Sequence, residues 1–270
     1  MKDILTAPFL SEIIRVCTNM YRLGWDERNS GNISLLLRED ELAEYLDLNR
    51  VLRTIPTGFD SSALAGRYLL VTATGSYFKN VEFDPEGNLG IIRISSDGTQ
   101  AHLLWGFSGG KTFTSELPTH LMSHTQRLQL DPKHRVVLHA HPTNLLAMTF
   151  VHPLDPRLFT RTLWQMCTEC IMIFPDGVNV LPWMLCGTEE IGRATAEEMK
   201  TARLVVWAQH GIYAAGRSLD EAFGLVETAE KGAEVYLKIA HLPILQTITD
   251  PQLRQIAQHL SLNVRKGYLG

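Results

Sequence analysis

Hydrophobic positions along the chain follow two periods that interleave from one end to the other. In residues 8–23, Phe9, Leu10, Ile13, Ile14, Cys17, Met20 and Tyr21 recur three and four apart, which predicts an amphipathic helix stopped by Gly24. Short apolar runs predict strands at 33–37, 68–73, 89–94, 101–105, 170–174 and 178–181, and Ser95-Ser96-Asp97-Gly98 reads as a hairpin turn between two of them. Another helix opens near Thr112–Pro118, with Thr114 or Ser115 as its cap and Pro118 in its first turn, and continues through Leu128. Further helices are predicted at 144–151, 156–166, 189–202 with Thr188 as cap, 219–240 and 249–260. Two apolar runs, 135–142 and 204–215, are strand-like and carry histidines.

Strands and helices that alternate without a linker or repeat imply one α/β domain over residues 1–270, with helices on both sides of a sheet. The hairpin makes that sheet mixed. A doubly wound nucleotide fold is disfavoured, because neither GxGxxG nor GxxxxGK[ST] occurs.

Composition narrows the function classes. With 45% hydrophobic and 20% charged residues the chain is of globular type, and a net charge of −4 offers no basic footprint for nucleic acid or an anionic membrane. No apolar run reaches the length of a membrane span, and Met1-Lys2-Asp3-Ile4-Leu5 does not read as a signal peptide. The four cysteines fit a reducing, cytoplasmic setting, with Cys167 and Cys170 expected to be core thiols.

The candidate chemistry centres on His139-Ala140-His141 at the end of a strand. A strand's period of two puts both imidazoles on one face, where they aim at one point as metal ligands do. The same pattern also suits two hydrogen-bonded residues at a sheet rim. His210, at the end of the second apolar run and beside Gly211, is the best candidate for a third ligand. Glu116, His120 and His124 are four apart, share a helical stripe and form a rival metal site. Two glycine-bearing loops, at Asn29–Asn32 and Thr74-Gly75-Ser76, border strands and can present backbone N–H groups and neutral donors to an anion, as can the helix start at Thr114-Ser115.

The motifs Asn29-x-Gly31-Asn32, Thr74-Gly75, Thr114-Ser115-Glu116-Leu117-Pro118-x-His120, His139-x-His141-x-x-Asn144 and His210-Gly211, in that order, resemble the class II aldolase and adducin family. The stretches Gly24-Trp25-Asp26-Glu27-Arg28-Asn29, Phe174-Pro175-Asp176-Gly177-Val178 and Leu181-Pro182-Trp183-Met184 are similar to its bacterial members that act on L-rhamnulose 1-phosphate. The resemblance implies a three-layer α/β/α subunit with a mixed, mostly antiparallel sheet, a C4 homotetramer with active sites near subunit interfaces, and one zinc ion per subunit on His139, His141 and His210. It implies reversible cleavage of L-rhamnulose 1-phosphate to glycerone phosphate and L-lactaldehyde in L-rhamnose breakdown.

Without a Schiff-base lysine, the carbanion of a retro-aldol step needs a Lewis acid and a separate base. Within that frame Glu116 is the expected base, and Asn29, Asn32, Thr74, Gly75, Thr114 and Ser115 the expected phosphate site. Glu169 is a second candidate carboxylate, from a neighbouring subunit, for the proton of the aldehyde oxygen; a surface or interface ion pair is its other reading. A fuculose-1-phosphate aldolase, a pentulose-phosphate 4-epimerase and a non-catalytic adducin-like binding protein are the alternatives. Two departures stand out: Ser76 occupies a position where the family pattern has lysine, and Cys186 one where it has proline.

Overall fold

The structure, a computed structural model, describes residues 1–269. Its elements in chain order are α1 (Pro8–Leu23), β1 (Asn32–Leu37), α2 (Glu39–Leu42), β2 (Arg53–Pro56), β3 (Tyr68–Thr72), α3 (Phe78–Val81), α4 (Pro85–Asn88), β4 (Leu89–Ile94) and β5 (Gln100–Gly106). There follow α5 (Leu117–Leu130), β6 (Val136–Ala140), α6 (Thr143–Val151), α7 (Pro156–Met166), α8 (Thr168–Ile173), β7 (Val178–Leu181), α9 (Glu189–Glu198), β8 (Leu204–Trp207), β9 (Gly211–Gly216), α10 (Leu219–Ile239) and α11 (Asp250–His259).

All nine strands join one sheet in the order β2-β5-β4-β3-β1-β6-β9-β8-β7. Only β7 and β8 run parallel; every other neighbouring pair is antiparallel. Alternate residues of the central strands feed two cores, as a period of two requires. Val136, Leu138 and Ala140 pack with α1, α7, α8 and α10 on one face. Val137 lies on the other, where residues of α5 and α9 cover the sheet. The result is the expected α/β sandwich of helices around a mixed, mostly antiparallel sheet. No helix among the described residues is long and apolar enough to cross a membrane.

Three local expectations change. Residues 170–173 form the end of helix α8, with Phe174 as its C-cap, and not a strand; a short apolar run reads equally well in both periods, and here Cys170 and Ile171 bury while Met172 and Ile173 face outward. The run 204–215 is not one strand but two, with Trp207 paired to Gly211 across a reversal that contains His210. The polar segment before residue 68 contributes an edge strand, β2, whose alternately exposed residues and terminal Pro56 hide it from a hydrophobic reading. All four cysteines are free, with Cys170 in the core and Cys167 half-buried, donating to Glu169.

Candidate active site

Strand register brings the site together. Asn32 on β1 pairs with His139 on β6, and His139 pairs with Tyr213 on β9. Residues opposite one another in an antiparallel pair point to the same face, so three adjacent strands aim an amide, an imidazole and a phenol at one place. His139 stacks on the Tyr213 ring with centroids 4.4 Å apart. His141, two residues on, lies on that face just beyond the strand, and its N–H donates to the Trp25 carbonyl, which ties the loop after α1 to the strand end.

His210 arrives from the β8–β9 turn. That turn places Gln209 at φ 59, a left-handed conformation that costs a residue with a side chain on the order of 1–2 kcal/mol. Thr149 on α6 holds it there: its hydroxyl accepts from the Gln209 backbone N–H at 3.0 Å, and its carbonyl from the Gln209 side-chain amide at 3.1 Å. The three imidazoles gather with their ligand atoms within 4.8 Å of one another.

The protonation pattern of this cluster fits a cation. His139 Nδ1–H donates to the Ile212 carbonyl at 3.0 Å, and His141 Nδ1–H donates to Glu27 Oε1 at 2.9 Å. In the neutral form each ring carries its proton away from the other, and the two Nε2 atoms, 3.1 Å apart, face each other with bare lone pairs. Two acceptors at that separation repel unless something positive lies between them. Ligands on a tetrahedral zinc, each at about 2.0–2.1 Å, lie roughly 3.3–3.4 Å apart. Burial, then the neighbouring imidazoles, hold His139 well below the ordinary histidine range, so it remains neutral and available. For Glu27, partial burial is outweighed by the hydrogen bond from His141 and by those from its own backbone and Ser30, and the carboxyl lies below its usual value.

Glu116 faces the trio. It is the N-cap residue of α5, but its side chain makes no capping bond and turns inward instead. Its buried carboxylate accepts at Oε2 from Asn32 Nδ2 at 2.8 Å and from the Tyr213 hydroxyl at 2.6 Å, with His139 Nε2 3.6 Å away. Burial, and then Glu116 itself, push the Tyr213 phenol well above its ordinary value, so it stays a donor at every working pH. Neither Thr114 nor Ser115 caps α5; the Thr114 hydroxyl accepts from the Glu116 N–H at 3.3 Å.

Glu116, His139, His141 and His210 line a pocket of about 190 Å³, and Asn29, Asn32, Thr74, Gly75, Thr114 and Ser115 line it with them. No lysine or arginine is among its lining residues. Gly31 closes the loop at φ 74, where an added Cβ would sit 3.2 Å from the His139 carbonyl. Ser76 is buried and donates to the Asn88 carbonyl at 3.2 Å, away from the pocket. Cys186 is exposed at the mouth, its Sγ within 4.8 Å of ligand atoms of Glu116 and His210. Glu169 lies outside this pocket, exposed in the first turn of α8 and bonded by Cys167. The rival site does not assemble: the described residues offer no metal-ligand set that contains His120 or His124.

The family model of the class II aldolase and adducin N-terminal domain matches residues 11–237. The chain belongs to the class II aldolase and adducin family. A rhamnulose-1-phosphate aldolase of Listeria monocytogenes is 57% identical over 269 residues, covering 99% of this chain and 98% of that protein. One from Enterococcus faecalis is 54% identical, covering 99% and 96%. Among solved structures, a sugar-phosphate aldolase of Thermotoga maritima matches with a TM-score of 0.76 at 30% identity, over 88% of this chain and 97% of that one.

Residues that support the site escaped the sequence reading. Glu27, Tyr213, Thr149 and Gln209 orient the imidazoles or the carboxylate, yet each is an ordinary residue in its own stretch of chain. Only Glu27 carried a signal, its place between Gly24 and Gly31 in a loop already singled out.

Proposed function

We propose that this chain is a zinc-dependent aldolase that reversibly cleaves L-rhamnulose 1-phosphate to glycerone phosphate and L-lactaldehyde. The carrying observation is the convergence of three imidazoles and one buried carboxylate on a pocket otherwise lined by neutral donors. Identity of 57% to a relative of that name supports the choice of substrate.

His139, His141 and His210 would hold the metal, which when bound supplies a Lewis acid for the ketone and adjacent hydroxyl oxygens. Glu116 takes the proton from the hydroxymethyl carbon in the aldol direction and returns it in cleavage. Asn32 and Tyr213 both hold Oε2, which leaves Oε1 to carry that proton. Asn29, Asn32, Thr74, Gly75, Thr114 and Ser115 bind the phosphate through amides and hydroxyls, with the start of α5 favouring the dianion. Glu169 of a neighbouring subunit handles the aldehyde oxygen's proton. The reading includes one domain over residues 1–270, a cytoplasmic setting and a C4 homotetramer. Phe150, Val151, Trp183 and Leu185, large apolar side chains left in solvent, are suitable material for a subunit interface.

A coupled assay for glycerone phosphate released from L-rhamnulose 1-phosphate, with metal analysis of the same preparation, tests the reading. Release abolished by a chelator and restored by zinc is expected. Absence of release from zinc-loaded protein would refute it; interconversion of pentulose 5-phosphates without free aldehyde would identify an epimerase instead.

A further inference from the structure

The two histidines of the stripe that resembled a second metal site are tied into hydrogen bonds with β1. His120 Nε2 contacts Asn32 Oδ1 in a very short hydrogen bond, and His120 Nδ1 lies 2.7 Å from Ser34 Oγ. Ser34 Oγ lies 2.8 Å from His124 Nε2. Asn32, Ser34, His120 and His124 are all buried. Ser34 and Asn32 stand two apart on β1, and His120 and His124 one turn apart on α5, so sheet and helix periods meet rung for rung.

The direction of every bond follows from one end. Glu116 Oε2 is an acceptor, so the Asn32 amide turns its Nδ2 toward it and its Oδ1 toward His120. His120 Nε2 must then bear the proton. A neutral ring has only one N–H, which leaves Nδ1 to accept from the Ser34 hydroxyl. The Ser34 oxygen in turn accepts from His124 Nε2–H. Burial, followed by the neighbouring imidazoles, keeps both rings neutral, with values down at about 3, so each has one donor and one acceptor throughout the working range. Reversal of the chain would set Asn32 Oδ1 against the Glu116 carboxylate, two acceptors 2.8 Å apart.

We propose that His124, Ser34 and His120 form a one-way hydrogen-bond chain that fixes the Asn32 amide with its N–H toward Glu116, so that these three act as positioning residues for the base. The proposal rests on the reading of Glu116 as that base. None of the three lines the pocket. Their effect passes through one amide, whose donor, alongside the Tyr213 hydroxyl, holds the carboxylate in place. Once the chain is broken the amide is free to rotate, and a carboxylate that has lost a charge-assisted donor is less ordered.

Two measurements test it. In a neutron structure of the wild type, deuterium is expected on Nε2 of both His120 and His124 and on neither Nδ1. In kinetics, His120→Leu should lower kcat roughly 10–100-fold, the range for loss of a hydrogen bond to a charged group. KM and metal content should stay nearly constant. His120→Gln, which restores a donor toward Asn32, should recover most of the rate. Ser34→Ala, a smaller change in the core, should lower kcat in the same direction with KM unchanged. A general packing defect would lower activity without rescue by glutamine, and that outcome overturns the proposal, as does deuterium on Nδ1 of His120 or a Ser34→Ala enzyme with kcat within about twofold. Should the wild type lack aldolase activity, the base assignment fails, and the neutron map by itself decides the direction of the chain.

Discussion

Two groups of histidines lie on the same face of the sheet, and their chemistry differs because of what their second nitrogens meet. At the strand ends, His139 and His141 spend Nδ1 on a carbonyl and a carboxylate, which leaves two bare Nε2 atoms facing each other beside a pocket. One layer deeper, His120 has both ring nitrogens engaged, by Asn32 and Ser34, and His124 gives its Nε2 to the same serine. The first arrangement is a donor set suited to a cation; in the second the bonds of His120 and Ser34 are closed within the protein. Residue type and spacing alone do not separate a ligand from a support. The available lone pair does.

The largest effect that sharpens this contrast is removal of a ligand. His139→Ala should lose metal and aldolase activity together, by about 10³-fold or more, whereas a substitution in the deeper pair should leave metal content intact; metal analysis beside the assay separates them. Next comes Glu116→Gln, which should retain the metal and lose roughly 10²–10⁴ in kcat, the usual contribution of a positioned general base. A near-normal rate would remove Glu116 from its role. Smaller again is Glu27→Ala. The His141 Nδ1–H would lose its carboxylate, and metal affinity should fall about 10–100-fold, read by competition with a chromogenic chelator.

The smallest effect concerns Asp26, beneath the same loop. Its carboxyl is 3% exposed, neither oxygen has a hydrogen-bond partner, and burial raises its value to about 7. The folded state thus holds a proton that the unfolded chain releases near 3.8. Its contribution to stability is complete below that lower value and is lost as pH rises through about 7. Asp26→Asn keeps the shape and removes the titration. The wild type should lose more thermal stability between pH 5 and pH 8 than the variant, as melting curves will show.

The site was legible in sequence wherever the chemistry was compressed into a short stretch. His139-x-His141 needs only the strand period to converge, and Thr114-Ser115-Glu116 needs only a helix start. His210 was found as a residue but in the wrong element, because a tight reversal between two apolar strands leaves the hydrophobic pattern unbroken. The stripe of Glu116, His120 and His124 was seen at its true spacing and given the wrong chemistry, since its partners Asn32 and Ser34 lie more than eighty residues away in the chain. Helix α8 was missed because four or five apolar residues satisfy either period.

By itself the sequence determined the alternation of strands and helices, the apolar faces that make a layered α/β subunit, and the kinds of donor at its centre. These are local properties, set by side-chain period and by turn and cap chemistry within a few residues. Only the tertiary structure decided which donors meet. Register between β1, β6 and β9 placed Asn32, His139 and Tyr213 side by side, and the packing of α5 on that face brought Glu116 to them. Register and packing depend on contacts between distant segments, where one residue's shift along a strand turns every side chain to the opposite face.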